Sequence, residues 1–249
     1  MAAVVFGSIP AFADDTIQIN PQQYDVDVNL KLVLTNLDVT WVNATWTNPK
    51  THIFLNEPCT FSTPIHQVEA GKPYDVFIPS YNSVFTLYFT ELPILSISTP
   101  YEIVDEPYVQ AHFRMIETNQ AIVSSFIGIQ IRGGWTQTLP KKSMEIEFWT
   151  DCTGAETQDV SLLGLRTDDD WNLQAMYNEP LRIRSKTNND LWLSMHKIHY
   201  QQSEPDAMNG IRMKYAELFL NHEYQGVYCV GEKIDRKQLR LKNHNGTFA

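Results

Sequence analysis

Ile127-Gly128-Ile129-Gln130-Ile131-Arg132-Gly133-Gly134-Trp135-Thr136-Gln137-Thr138-Leu139-Pro140-Lys141-Lys142-Ser143-Met144-Glu145-Ile146-Glu147-Phe148 decides how the rest of the chain is read. Ile127, Ile129 and Ile131 alternate with Gly128 and Gln130, the period of a strand with one buried face. Arg132-Gly133-Gly134 ends that strand, because two glycines free the backbone for positive φ or for close approach to another group. After Pro140 a second strand starts, with Met144, Ile146 and Phe148 on one face and Ser143, Glu145 and Glu147 on the other. Lys142 shares the parity of the apolar face, so it either snorkels off the strand end or meets an anion. Two readings fit this stretch. One is an ordinary hairpin with solvated lysines. The other is an anion site, in which backbone N–H groups and two cations converge on one oxyanion.

The chain has 249 residues, 43% of them hydrophobic, enough for two domains or one large one. A formal charge of −10 argues against a nucleic-acid partner, which needs a basic surface. No apolar run approaches the roughly 18 residues of a membrane span. Cys59, Cys152 and Cys229 form neither a disulfide framework nor a metal motif; one pair with a free thiol and three buried thiols are both open. His196 and His199 lack a third ligand nearby and read as a surface pair. Asn-x-Ser/Thr sequons start at Asn43 and Asn245.

Residues 1–13 read as the back half of a secretory leader. Ala2 to Ala13 is small and apolar, Ala11-Phe12-Ala13 has the form of a cleavage site, and Asp14-Asp15 opens a polar mature chain. The alternative is a buried N-terminal strand. Residues 14–91 then carry an all-β signal and are expected to form a small β-sandwich. Val26 to Leu34 alternates as one long strand, and Val39-Thr40-Trp41-Val42 and Thr45-Trp46 read as strands too. Leu92 starts a second region, to 249. Strands near 94–97, 109–116, 123–132 and 142–149 are expected in one antiparallel sheet. Asp168-Asp169-Asp170 reads as a solvated turn before a buried Trp171, since consecutive aspartates cannot all face one ion without a special loop. Asn178-Glu179-Pro180 opens an expected helix, with Leu181, Asn188, Leu191, Trp192 and Met195 near one face. Met213 to Leu220 and Gly226 to Glu232 are paired strands.

Five motifs stand in order: Arg132-Gly133-Gly134 with Lys141-Lys142-Ser143; Leu162-Leu163-Gly164-Leu165; Asp170-Trp171-Asn172-Leu173; Tyr177 through Arg184; and Asn221-x-Glu223-Tyr224-x-Gly226-Val227-Tyr228 with Glu232-Lys233-Ile234-Asp235. Together they resemble the CotH family of spore-coat and secreted kinase-like proteins over roughly Leu92 to Lys242. The resemblance implies an α+β chain: a β-rich module, then the antiparallel-sheet-plus-helix first lobe of an atypical protein-kinase-like fold. It implies transfer of the γ-phosphate of ATP, with Mg²⁺, to Ser/Thr of surface or coat proteins outside the cell. On that resemblance Arg132, Gly133 and Lys142 are candidates for the nucleotide phosphates. Arg184 supports the same anion from a helix packed behind the sheet, and Glu232 is a positioning residue or salt-bridge partner. The family's metal-binding and catalytic aspartates lie downstream of Glu-Lys-Ile-Asp, so these residues are expected to bind nucleotide weakly and to transfer no phosphate. The competing class is a non-catalytic surface, adhesion or glycan-binding protein.

Overall fold

The computed structural model describes residues 15–44, 48–118 and 120–241. The leader reading, the Thr45-Trp46 strand and the Asn245 sequon lie outside them. The protein is mostly β-sheet, with two α-helices among the described residues. These residues fall into two compact units that divide between Glu91 and Leu92.

The first unit holds β1 (Thr16–Gln18), β2 (Tyr24–Asp27), β3 (Leu32–Thr35), α1 (Val39–Ala44), β4 (Lys50–Phe54), β5 (Pro58–Ile65), β6 (Tyr74–Ile78) and β7 (Ser83–Phe89). Its strands make one continuous sheet in the order β1-β4-β5-β6-β7-β3-β2, where the sequence suggested two facing sheets. Two further expectations are corrected. The long strand from Val26 is a hairpin: Asp27 Oδ1 accepts the N–H of Leu30 at 2.8 Å, and Lys31 takes φ 51°. Apolar alternation runs on through this turn, so periodicity alone could not find it. Val39 to Ala44 is helical because Asp38 accepts the N–H groups of Thr40 (2.8 Å) and Trp41 (3.3 Å), an N-cap that outweighs β-branched propensity. Val33, Ile53, Cys59, Val76, Leu87 and Phe89 are wholly buried at its core.

The second unit contains β8 (Ile94–Ser98), β9 (Val109–Ile116), β10 (Val123–Ile131), β11 (Met144–Trp149), β12 (Val160–Ser161), β13 (Thr167–Asp168), β14 (Asp170–Gln174), α2 (Arg184–Met195), β15 (Met213–Leu220) and β16 (Glu223–Glu232). Strands β8 to β11 are joined antiparallel in chain order. They are part of a closed seven-stranded barrel, β10-β11-β14-β16-β15-β8-β9, in which parallel pairing of β15 with β8 makes the closure. Inward side chains alternate along every strand, and Phe113, Ile127, Ile129, Ile146, Phe148, Trp171, Leu173, Leu218 and Val230 fill the interior. Each contributes about 1.5–3 kcal/mol by leaving water.

Helix α2 starts at Arg184, five residues later than a helix capped by Asn178 would, and buries no residue. Arg182 at φ 53° breaks helical continuity. The Glu179 carboxylate instead reaches forward to accept the N–H of Ser185 at 3.1 Å. Leu181, Leu191, Trp192 and Met195 are exposed rather than packed behind the sheet.

Candidate functional site

The barrel opens where β8, β10, β14 and β15 finish and β9, β11 and β16 start. Inward positions at these strand ends, Ile131, Met144, Leu220 and Tyr228, have no further layer above them. They floor a cavity of about 310 Å³ whose rim includes Thr99, Tyr101 and Lys142. Barrel mouths are recurrent ligand sites because the strands supply a rigid apolar floor and the loops a polar rim.

Each rim loop is tied down. Arg132 N–H bonds Ser143 O at 2.9 Å, the last rung before the Gly-Gly break. Gly133 has φ 100°, and a Cβ there would collide with the Thr136 hydroxyl, so both backbone and space demand glycine. The loop then makes a short 3-10 turn, Trp135–Thr138. The Gln137 side chain donates to Gly133 O, and Lys142 Nζ donates to Gln137 O. Lys142 thus neither snorkels outward nor meets a carboxylate; it closes the loop on itself. Tyr228 OH donates to Lys142 O at 2.9 Å. On the other side Thr99 N–H bonds Asn221 Oδ1 at 2.8 Å, and Ile131 N–H bonds Val104 O at 2.7 Å. Asn221 and His222, at φ 51° and 64°, form the tight turn that brings β16 back to the mouth.

Lys141, next to the rim residue Lys142, is one that alternation missed. Its Nζ donates to Val227 O at 2.6 Å and lies 4.1 Å from the centre of the Tyr228 ring. Burial, and then repulsion from Arg182, bring its pKa down to about 8. Arg182 donates to Ala175 O (2.9 Å) and Met176 O (3.1 Å).

The two ends of the barrel treat their cations oppositely. Among the described residues Arg132, Lys141, Lys142 and Arg182 make no ion pair with a carboxylate. At the far end Arg166, Arg212, Lys233, Lys237 and Arg240 all do. Glu232 belongs there, not with Arg132, Gly133 and Lys142. Its buried carboxylate accepts from Arg212 Nε (2.9 Å), Arg212 Nη2 (2.5 Å) and the N–H groups of Arg212 (2.9 Å) and Arg166 (3.0 Å), so it is a salt-bridge partner. Arg184 is exposed at the start of α2, on the outer wall. Of the five candidates, Lys142 lines the cavity, Arg132 and Gly133 belong to the loop beside it, and Arg184 and Glu232 lie elsewhere.

The aspartate run is not a solvated turn. Asp168 is 2% exposed and pairs with Arg166 and with Lys237 (3.0 Å), while Asp169 pairs with Lys237 at 2.6 Å. Burial raises the Asp168 pKa in spite of both cations. Asp169 is held low, because its bonds to Lys237, Asp168 and Thr157 outweigh its own burial. Oxygens of Asp159, Asp168 and Asp169 lie within 4.8 Å of one another. Two cations already occupy them, which leaves little acceptor capacity for a metal ion.

All three cysteines are free, Cys59 and Cys229 buried and Cys152 exposed. His196 stacks on Trp192 at 4.6 Å in an exposed pair, away from the mouth loops in sequence.

Residues 129–248, all within the second unit, match the family model described as CotH kinase protein, the family that the motif order resembles. No curated protein matches the chain significantly.

Proposed function

We propose that this protein is a CotH-type kinase-like protein of the cell exterior, and that its barrel mouth holds the phosphates of ATP. The observation that carries the reading is Lys142 on the cavity rim, with Arg132 and Lys141 near it in sequence beside a glycine break and, among the described residues, none of the three in an ion pair, in a chain of net charge −10. Unpaired cations on a rigid rim bind an oxyanion without first breaking an ion pair. Tyr101 and Tyr228 give the nucleotide's base an aromatic and apolar wall. The reaction moves the γ-phosphoryl group to a Ser or Thr hydroxyl of a surface or coat protein; the bond to the β–γ bridging oxygen breaks, and ADP and a proton are released. Magnesium would supply charge neutralisation on the phosphates. The convergent acids Asp159, Asp168 and Asp169 do not fit it, because Asp168 and Asp169 are held by Arg166 and Lys237. The part assigned to the described residues is capture and orientation of the nucleotide.

Calorimetric titration of the whole chain with ATP tests this. Lys142→Ala and Arg132→Ala should each weaken binding by about tenfold, the loss of one charge-assisted hydrogen bond. Absence of ATP binding, or indifference to both substitutions, would refute it.

A second reading, a non-catalytic glycan- or surface-binding protein, draws on the first unit. Phe77 and Val84 are opposite one another across β6 and β7, both exposed, beside Tyr81. Leu30, in the β2–β3 turn, is exposed as well. Glycan-array binding by the whole chain that Tyr81→Ala abolishes would favour it.

A further inference from the structure

The sheet of the first unit is interrupted between β5 and β6. Strand β5 runs to Ile65 and β6 starts at Tyr74, yet the two pair only through Thr60 with Phe77 and Phe61 with Val76. On its other side β5 meets β4 through Thr60 with His52 and Ile65 with Lys50. Between those two pairs β4 has only Thr51, whereas β5 has Phe61, Ser62, Thr63 and Pro64, so β5 bulges out of the ladder. Among the described residues Ser62, Thr63 and Pro64 pair with neither neighbouring strand, and all three are exposed. Strand β6 is left open over the same stretch. Successive residues of a strand turn their N–H and C=O groups to alternate sides, so one of Tyr74 and Asp75 aims both at the gap.

The gap is a groove of about 500 Å³, lined by these residues together with His66 and Gln67. The loop from β5 to β6 that borders it is held in place. Glu69 N–H donates to Tyr74 Oη at 2.8 Å, Gly71 N–H donates to Phe89 O at 2.8 Å, and the Asn43 side chain clasps Val68. A main chain entering the groove therefore meets backbone donors and acceptors already in position, and little ordering is left to be done on binding. Side chains narrow the occupant further. The Glu69 carboxylate is taken by Lys72 at 2.6 Å, but among the described residues Asp75 has no cation beside it. Phe61 and Tyr74, the aromatic residues of the lining, are buried, so no ring face is offered for a sugar to stack on.

We infer that this groove takes an extended peptide with a basic residue, added in the plane of the sheet beside β6. An unpaired stretch of strand is satisfied by another strand, whose main chain completes the ladder while a Lys or Arg reaches Asp75. The site is separate from the barrel mouth and shares no residue with it, so it stands independently of the nucleotide reading.

A library of labelled octapeptides, read by fluorescence anisotropy on the whole chain, is the probe. Binders are expected, and they should carry Lys or Arg. N-methylation of alternate amides in the best binder removes ladder donors without changing a side chain, and it is expected to weaken binding at least tenfold. Asp75→Ala is expected to weaken the same peptide about tenfold, with far-ultraviolet circular dichroism unchanged because Asp75 is exposed. The amides of Ser62 and Thr63 should exchange rapidly in the free chain and slowly in the complex. A library without a binder overturns the site. So does a binder that N-methylation leaves alone, which would be held by side chains only, or one that Asp75→Ala leaves alone.

Discussion

Trp149 lies between two glycines. A Cβ on Gly128 would sit 2.8 Å from Trp149 Cε2 and nearer still to Cζ2, and a Cβ on Gly154 would sit 2.9 Å from the same ring. The indole, its Nε1 donating to Glu147 at 2.8 Å, covers the outside of β10 where a side chain would otherwise stand. Gly128→Ala should therefore cost about 1–3 kcal/mol through displacement of a large ring. Gly154→Ala should cost at least as much, because φ 69° adds backbone strain. Urea denaturation followed by tryptophan fluorescence reads both; an unshifted midpoint for Gly128→Ala would show that the ring moves freely.

The Arg212–Glu232 pair should be costly to break from one side. Arg212→Ala strands a buried carboxylate and is expected to remove about 3–5 kcal/mol of stability. Combining it with Glu232→Leu should restore part of that loss, since the stranded charge is gone. A double variant no more stable than Arg212→Ala would count against this account.

Lys141 predicts a pH dependence. Its pKa is about 8 in the folded protein against 10.5 for the free side chain. Between those values the unfolded chain binds more protons than the folded one, so this residue makes stability rise with pH across that window. Below pH 8 the folded state carries the full penalty of the buried charge. Lys141→Met should raise stability at neutral pH and flatten the rise; denaturation midpoints from pH 7 to 10 measure it. ATP affinity should fall as pH passes 8, where the amine loses its proton.

Asn43 stands in a sequon, yet its side chain is engaged twice. Nδ2 donates to Val68 O and Oδ1 accepts from Val68 N, both at 2.9 Å. Expression in a glycosylating host should leave Asn43 unmodified by mass spectrometry, and Asn43→Ala should cost about 1–3 kcal/mol. A glycan at Asn43 on folded protein would contradict this geometry.

The local pattern revealed most of the barrel's strands, because Ile127/Ile129 and Met144/Ile146/Phe148 alternate without interruption and face inward as that period requires. Closure was invisible. Pairing of Ile94 with Glu217 leaves no mark on either segment's periodicity. The mouth was half legible: Arg132, Gly133 and Lys142 lie close in sequence, whereas Tyr101 and Tyr228 reach it only through the barrel. The ion pairs of Asp168 with Lys237 and of Glu232 with Arg212 join distant segments, so the aspartates looked solvated and the sequence left Glu232 open between a positioning residue and a salt-bridge partner. Helix α2 misled because a run of spaced apolar residues resembles a buried face even when the chain leaves it in water.

The seam between β8 and β15 also sets an order of events during synthesis. Ile94 to Ile97 leave the ribosome early, but their partners Glu217 to Leu220 emerge more than a hundred residues later. Until then β8 has an open side and the half-made sheet exposes two unpaired edges. A nascent chain paused short of the β15–β16 hairpin is the form most exposed to proteases and to its own neighbours, so the hairpin acts as the clasp whose arrival ends that vulnerability.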